Sequence, residues 1–394
     1  MRNIIITGGG FGNKGAEAMT YVTVSEIRER FPKHKIYLFL PEKDRLEKDF
    51  KSNFNFDFLG WHPIKFAKAQ SNIITRIICE TINRNEYKKT VEIYKNTDLM
   101  IDISGYAIGS NWSYKICSDY LDNFEYARAF NIPVYLMPQS FGPFDFVDEQ
   151  GKIIDKRIAD IFPGIKLICA REKEGLEALK NRYKLENITL QPDIVLNNRE
   201  INYSGVFKSI PVVHKPEIKD NSVCVIPNNK IMEFGNSNEL NKAYVAIIRE
   251  LLDNSSIVYL AYHSTLDRDI CLKLKENFSD EKRVVFLDRD FSCIEYNVLV
   301  KQFKYVVASR FHSIVHAYKN GIPCIALGWA QKYCDLLKEF NQSNFFFDVR
   351  KPLSIENLID SIKTLEKNHT IESCKIKEHL LEIQKNNVFD LVNI

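Results

Sequence analysis

At 394 residues the chain is longer than one hydrophobic core usually sustains, so two domains of roughly 150–200 residues, each with its own core, are expected. A 45% hydrophobic and 27% charged composition excludes both a disordered chain and an integral membrane protein, and 54 Lys/Arg against 51 Asp/Glu leaves a net charge of +3, too little for general affinity to nucleic acid. Nine scattered cysteines, an odd number without a CxxC pair or Cys/His cluster, exclude a disulfide framework and a zinc site.

The first element is a strand over Asn3–Thr7, reached without a long apolar signal region, which predicts a cytoplasmic protein. It runs into Gly8-Gly9-Gly10-Phe11-Gly12-Asn13-Lys14-Gly15-Ala16-Glu17-Ala18, a glycine-rich turn opening a helix, where small residues admit a ligand to unpaired N–H groups. A dinucleotide site is disfavoured, because the acid it needs after the second strand is replaced by Pro41 and Glu42. Lys14 at a helix start is electrostatically costly and therefore points to a ligand.

Further strands are expected over 35–40, 98–103, 133–138 and 166–170, and a second series over 222–226, 257–261, 283–287, 305–308 and 323–327, spaced by helices such as 239–253 and 266–278. Alternation of this kind implies parallel sheets with helical crossovers. The stretch 62–95 carries seven Lys/Arg against three Glu beside several isoleucines, a solvated helix face or a contact with an anionic membrane bearing a lipid-linked glycan. The aperiodic 197–221 reads as a linker, and the tail from 354 as two helices. The expected domains are 1–205, 206–370 and a C-terminal helix 371–394 packing back on the first. Two doubly wound domains would place the carboxyl ends of both sheets at a shared cleft.

The densest polar signal is Ser309-Arg310-Phe311-His312, followed by Gly321-Ile322-Pro323 and then Lys332-Tyr333. Arg310 and His312 follow one strand and Lys332 the next, so three cationic groups should meet at a cleft edge suited to phosphate and carboxylate. His316, one turn beyond His312, lacks the intervening Glu and third ligand of a metal site and is read as packed against the sheet.

Taken together, Gly8-Gly9, Asn13 to Ala18, Asp102-Ile103-Ser104-Gly105, Pro138 to Pro143, Ala170-Arg171-Glu172, Pro192-Asp193, Ala261 to Ser264, Ser309 to His312 and Lys332-Tyr333 arrive in an order that resembles the polysaccharide pyruvyltransferase family. The resemblance implies a two-Rossmann fold of the GT-B type, phosphoenolpyruvate as donor, a glycan or lipid-linked saccharide as acceptor, and neither metal nor cofactor. It implies donor contacts from Arg171, Arg310, Phe311, His312 and Lys332. Acceptor contacts are expected from Asn13, Lys14, Glu17, Tyr106 and Trp112, with Glu17 a candidate base and His312 a charged acid or phosphate clamp whose pKa the phosphate raises. Lys173-Glu174-Gly175 and the segment from Pro227 to Lys230 depart from the family pattern, which leaves the acceptor open. A sugar-nucleotide glycosyltransferase and a non-catalytic glycan-binding relative are the alternatives.

Overall fold

A computed structural model describes residues 2–41, 46–60 and 84–394. Two parallel sheets stand one after the other. The first holds β1 (Asn3–Thr7), β2 (Lys35–Phe39), β3 (Asp57–Leu59), β4 (Thr97–Asp102), β5 (Val134–Gln139), β6 (Leu167–Ala170) and β7 (Ile188–Leu190) in the order β3-β2-β1-β4-β5-β6-β7. The second holds β8 (Ser222–Ile226), β9 (Ile257–Leu260), β10 (Val284–Phe286), β11 (Val306–Ala308), β12 (Cys324–Gly328) and β13 (Phe346–Asp348) in the order β10-β9-β8-β11-β12-β13. The middles of the central strands are apolar because helices cover both faces. β1, paired with β2 and β4 on its two sides, has all five residues buried.

The expected strands all form, within a residue or two of their predicted ends. Sequence reading misses β3, β7 and β13, which are three-residue strands at sheet edges; too short and too exposed to carry an apolar run, they leave no periodicity to detect.

Two further expectations need correction. The tail is one helix, Ile355–Ile383, rather than two, so the boundary expected at 370 falls inside it. Beyond that helix the chain lies against the first domain: Asn197 Nδ2 donates to the carbonyls of Ile383 at 2.8 Å and Asn386 at 2.7 Å, and Tyr135 Oη donates to that of Asn393 at 2.9 Å. Nor are the cores separate. One apolar cluster runs from a face of the first sheet through Ile194, Leu196, Phe207, Val388 and Phe389 into the second domain, while another fills the opposite face of the first sheet. The supposed linker contributes to this seam, since Tyr203–Val206 is helical, Val206 is buried, and Phe207 bridges to Phe54. Residues 62–83 of the basic stretch lie outside the described residues; Lys88, Lys89 and Lys95 are exposed on the helix Arg84–Lys95.

The helix Lys14–Arg30 occupies the junction of the domains. Asn13 caps it by accepting from Ala16 N at 2.9 Å, and Glu17 in its first turn and Arg28 and Arg30 in its last complement the dipole. Its interior, rich in Thr and Val, is poor in intrinsic helix propensity, and burial of every residue from Ala18 to Ile27 supplies the stability instead.

Candidate active site

The carboxyl ends of β4, β5, β6 and β7 face those of β8, β11 and β12, and the sequence-predicted cations lie between them. Arg310 is the N-cap of the helix Phe311–Lys319, directly after β11. Its guanidinium makes two parallel hydrogen bonds to Asp267, Nε to Oδ2 and Nη2 to Oδ1, both 2.8 Å. The Asp267 side chain is fully buried and also accepts from Asn229 N at 2.9 Å. Asp267 thus offsets the charge that Arg310 brings to a helix N-terminus and fixes its plane, leaving Nη1 without a hydrogen bond among the described residues. Sequence reading misses Asp267, which closes the 3-10 turn Thr265–Asp267 in the loop after β9.

Lys332 stands in the first turn of the helix Gln331–Glu339, after β12. Its ammonium lies 5.0 Å from the Tyr106 ring centroid and 5.3 Å from that of Phe311, with no hydrogen bond or ion pair among the described residues. Burial, with the Arg171 charge second, pushes its pKa down to about 8. A half-buried ammonium in an aromatic cradle, without an ion-pair partner among the described residues, is a place where an anion would be welcome.

Arg171, at the end of β6, is differently employed. It donates from Nε to Glu172 at 3.0 Å, from Nη1 to Asp193 at 2.7 Å, and from Nη2 to Ser140 Oγ at 2.7 Å and Gly105 O at 3.3 Å, while its carbon centre lies 4.3 Å over the Phe311 ring. With four acceptors already served, Arg171 is a strut joining the two cleft walls in this state. Burial alone would raise the Asp193 pKa, but Arg171 and the other partners outweigh it and hold that carboxyl below its usual range.

His312 lies one residue into the helix that Arg310 caps. Its Nε2 is buried with no hydrogen-bond partner among the described residues, and its ring rests on the backbone of Gly15, where a Cβ would come within 2.2 Å of Cγ. The glycine at the start of the first helix is therefore required by a ring from the other domain. Burial pushes the His312 pKa down to about 3, Asp193 opposing and Arg171 and Lys332 reinforcing. With no anion beside it the desolvation cost of the imidazolium dominates, whereas the expected charged form depends on a phosphate lying next to the ring.

The loop residues expected to meet an acceptor divide. Lys14 Nζ donates to His263 O at 3.0 Å and Asp290 Oδ1 at 2.9 Å, and Glu17 accepts from Tyr21 Oη at 2.9 Å and Cys293 N at 3.0 Å. Both tie the first domain to the second, and with each Glu17 oxygen engaged the carboxylate is poorly placed as a base. Asn13 is exposed and spends its Oδ1 on capping. Tyr106 faces the cleft beneath Lys332 and donates to Gly142 O at 2.8 Å, whereas Trp112 packs on its edge at 5.1 Å and lines a separate cavity of about 150 Å³. His316 is buried, and among the described residues neither ring nitrogen has a hydrogen-bond partner and no cluster of three potential ligands could hold a metal.

Two parallel six- and seven-stranded sheets meeting at such a cleft define the GT-B arrangement of two Rossmann-like domains. Solved structures agree: HepE of Anabaena, in complex with UDP and glucose, is similar at 13% identity and a TM-score of 0.55 over 98% of both chains. TarM of S. aureus is similar at 13% identity and 0.57 over 99% of this chain and 98% of that one. At these identities the likeness establishes the fold alone. A comparison with curated proteins finds no match. Residues 13–331 match polysaccharide pyruvyl transferase, and the chain belongs to that family.

Proposed function

We propose that the protein transfers the enolpyruvyl carbons of phosphoenolpyruvate onto two hydroxyls of one sugar in a bacterial surface glycan or its lipid-linked precursor, forming a pyruvate ketal and releasing phosphate. The observation that carries this reading is the unpaired Lys332 ammonium beside an Arg310 that Asp267 orients but does not saturate. A small donor bearing a carboxylate and a phosphate needs two separate fixed cations. His312 starts neutral, so its free Nε2 takes the proton of the first hydroxyl as that oxygen bonds to C2 of the donor, and delivers it to C3, which becomes a methyl group. Cleavage of the C2–O bond to phosphate leaves positive charge on C2, and Arg310 and Lys332 receive the negative charge of the leaving group. The second hydroxyl then bonds to C2, and its proton departs with phosphate. Two C–O bonds, one C–H bond and one O–H bond on the released phosphate form, while one C–O bond, the C2–C3 π bond and two hydroxyl O–H bonds break, with no net oxidation or reduction and no step assigned to a metal. The protein would work at the cytoplasmic side, in peripheral contact with the membrane where the acceptor is lipid-linked.

Phosphoenolpyruvate should raise the melting temperature, by the equivalent of ~2.7 kcal/mol at a hundredfold excess over Kd, and a nucleotide sugar should not. Lys332 holds its proton below about pH 8 and loses it above, and a bound anion raises that pKa, so the shift should be steady near neutrality and decline as pH rises through 8. Stabilisation by a nucleotide sugar and none by phosphoenolpyruvate would favour a glycosyltransferase and overturn this reading.

A further inference from the structure

Beside Lys332 the cleft widens into a cavity of about 780 Å³, well beyond what a three-carbon donor fills and within the ~300–1,000 Å³ of pockets that enclose much larger ligands. One wall is aromatic. Phe234, from the loop after β8, and Trp329, from the turn after β12, stack with ring centroids 4.0 Å apart and planes within 1° of parallel, and Phe234 remains 40% exposed. Each ring immobilises the other, so the wall offers a rigid apolar surface at little entropic cost to a ligand. The opposite wall carries Tyr106 and the exposed carboxylates of Asp145 and Glu174.

The charges indicate what this cavity accepts. Arg182 is held by Asp155 and Arg350 by Asp348, each through two hydrogen bonds, and Glu172 is engaged by Arg171 and Ser140. Apart from Lys332, the charges left without an ion-pair partner among the described residues are Asp145 and Glu174, which accept hydrogen bonds from hydroxyls and repel anions.

We propose that this cavity is a saccharide subsite in which an uncharged, hydroxyl-rich ring lies against the Phe234–Trp329 wall, with Asp145 and Glu174 accepting from its hydroxyls. The subsite discriminates against uronic acids and phosphorylated sugars. It deepens the reading above, placing the acceptor on the side of Lys332 away from the smaller, 440 Å³ cavity that Arg171 and Phe311 line; it rests on that reading only for the identity of the bound sugar as acceptor.

The test separates the two. The chain has three tryptophans, so intrinsic fluorescence is titrated with methyl glycosides of the common neutral hexoses and N-acetylhexosamines, and with glucuronate, in wild type, Trp329→Phe and Phe234→Ala, without donor. At least one neutral glycoside should change the emission of wild type, glucuronate should not, the signal should vanish in Trp329→Phe, and Phe234→Ala should weaken binding about tenfold. A cooperative thermal melt without ligand, retained in both variants, serves as the check on folding. No response to any neutral glycoside, or one that survives in Trp329→Phe, overturns the subsite even if ketal transfer is observed; saccharide binding at Trp329 without turnover of phosphoenolpyruvate overturns the functional reading instead.

Discussion

Replacing Gly15 with alanine should lower kcat by about two orders of magnitude while leaving the protein folded. The new Cβ would stand 2.2 Å from Cγ and 2.4 Å from Nδ1 of His312, so the imidazole must move. Inside a helix alanine is preferred over glycine by ~1 kcal/mol, and the clash costs a comparable ~1–3 kcal/mol, so net stability should change little. The ring, displaced by about 1 Å, loses its alignment with the donor, a misplacement that typically costs ~10²-fold. His312→Ala should lose a similar factor, and the double variant Gly15→Ala/His312→Ala should be no worse than His312→Ala alone, because both act through one ring. His312→Gln, which can donate a hydrogen bond but not relay a proton, should resemble the alanine variant. Wild-type kcat in Gly15→Ala, with a normal thermal melt, would mean that the position of this imidazole does not matter to turnover.

Arg310→Ala should raise the KM for phosphoenolpyruvate by about a hundredfold or more, as expected when a charged pair is lost from a desolvated site. The substitution also strands Asp267, fully buried, without its cation, and stranding one partner of such a pair costs ~3–5 kcal/mol of stability. Arg310→Ala/Asp267→Asn separates these effects: it should recover most of the melting temperature and none of the donor affinity. Recovery of both would assign Arg310 to structure alone, and a normal KM in Arg310→Ala would remove it from the donor site.

Much of this architecture is legible in the sequence because the central strands are covered on both faces and announce themselves as apolar runs, and because polar residues just after such runs fall at the carboxyl ends of the sheets. That reasoning finds Arg310, His312 and Lys332. It cannot find Asp267, whose bond to Arg310 spans 43 positions, nor the Phe234–Trp329 stack, whose rings come from loops 95 positions apart. The glycine-rich turn is the instructive case. Lys14 and Glu17 look like ligand groups when their surroundings are taken from the first domain alone; the second domain supplies Asp290, His263 O and Cys293 N as their partners, and the unusual charge at the helix start serves domain docking. The charge state of His312 turns on the same distinction: the sequence reveals the anion such a site would bind, while burial governs the ring where no anion lies beside it.

The central claim, that the carbons of phosphoenolpyruvate end on a sugar as a ketal, is tested most directly by following ¹³C-labelled phosphoenolpyruvate by NMR with the purified protein and a lipid-linked saccharide extract. The account predicts that the labelled C3 becomes a methyl group and the labelled C2 a ketal carbon attached to two sugar oxygens, with one phosphate released per ketal, unaffected by EDTA. Phosphoenolpyruvate left intact while a nucleotide sugar is consumed by the same extract would contradict it.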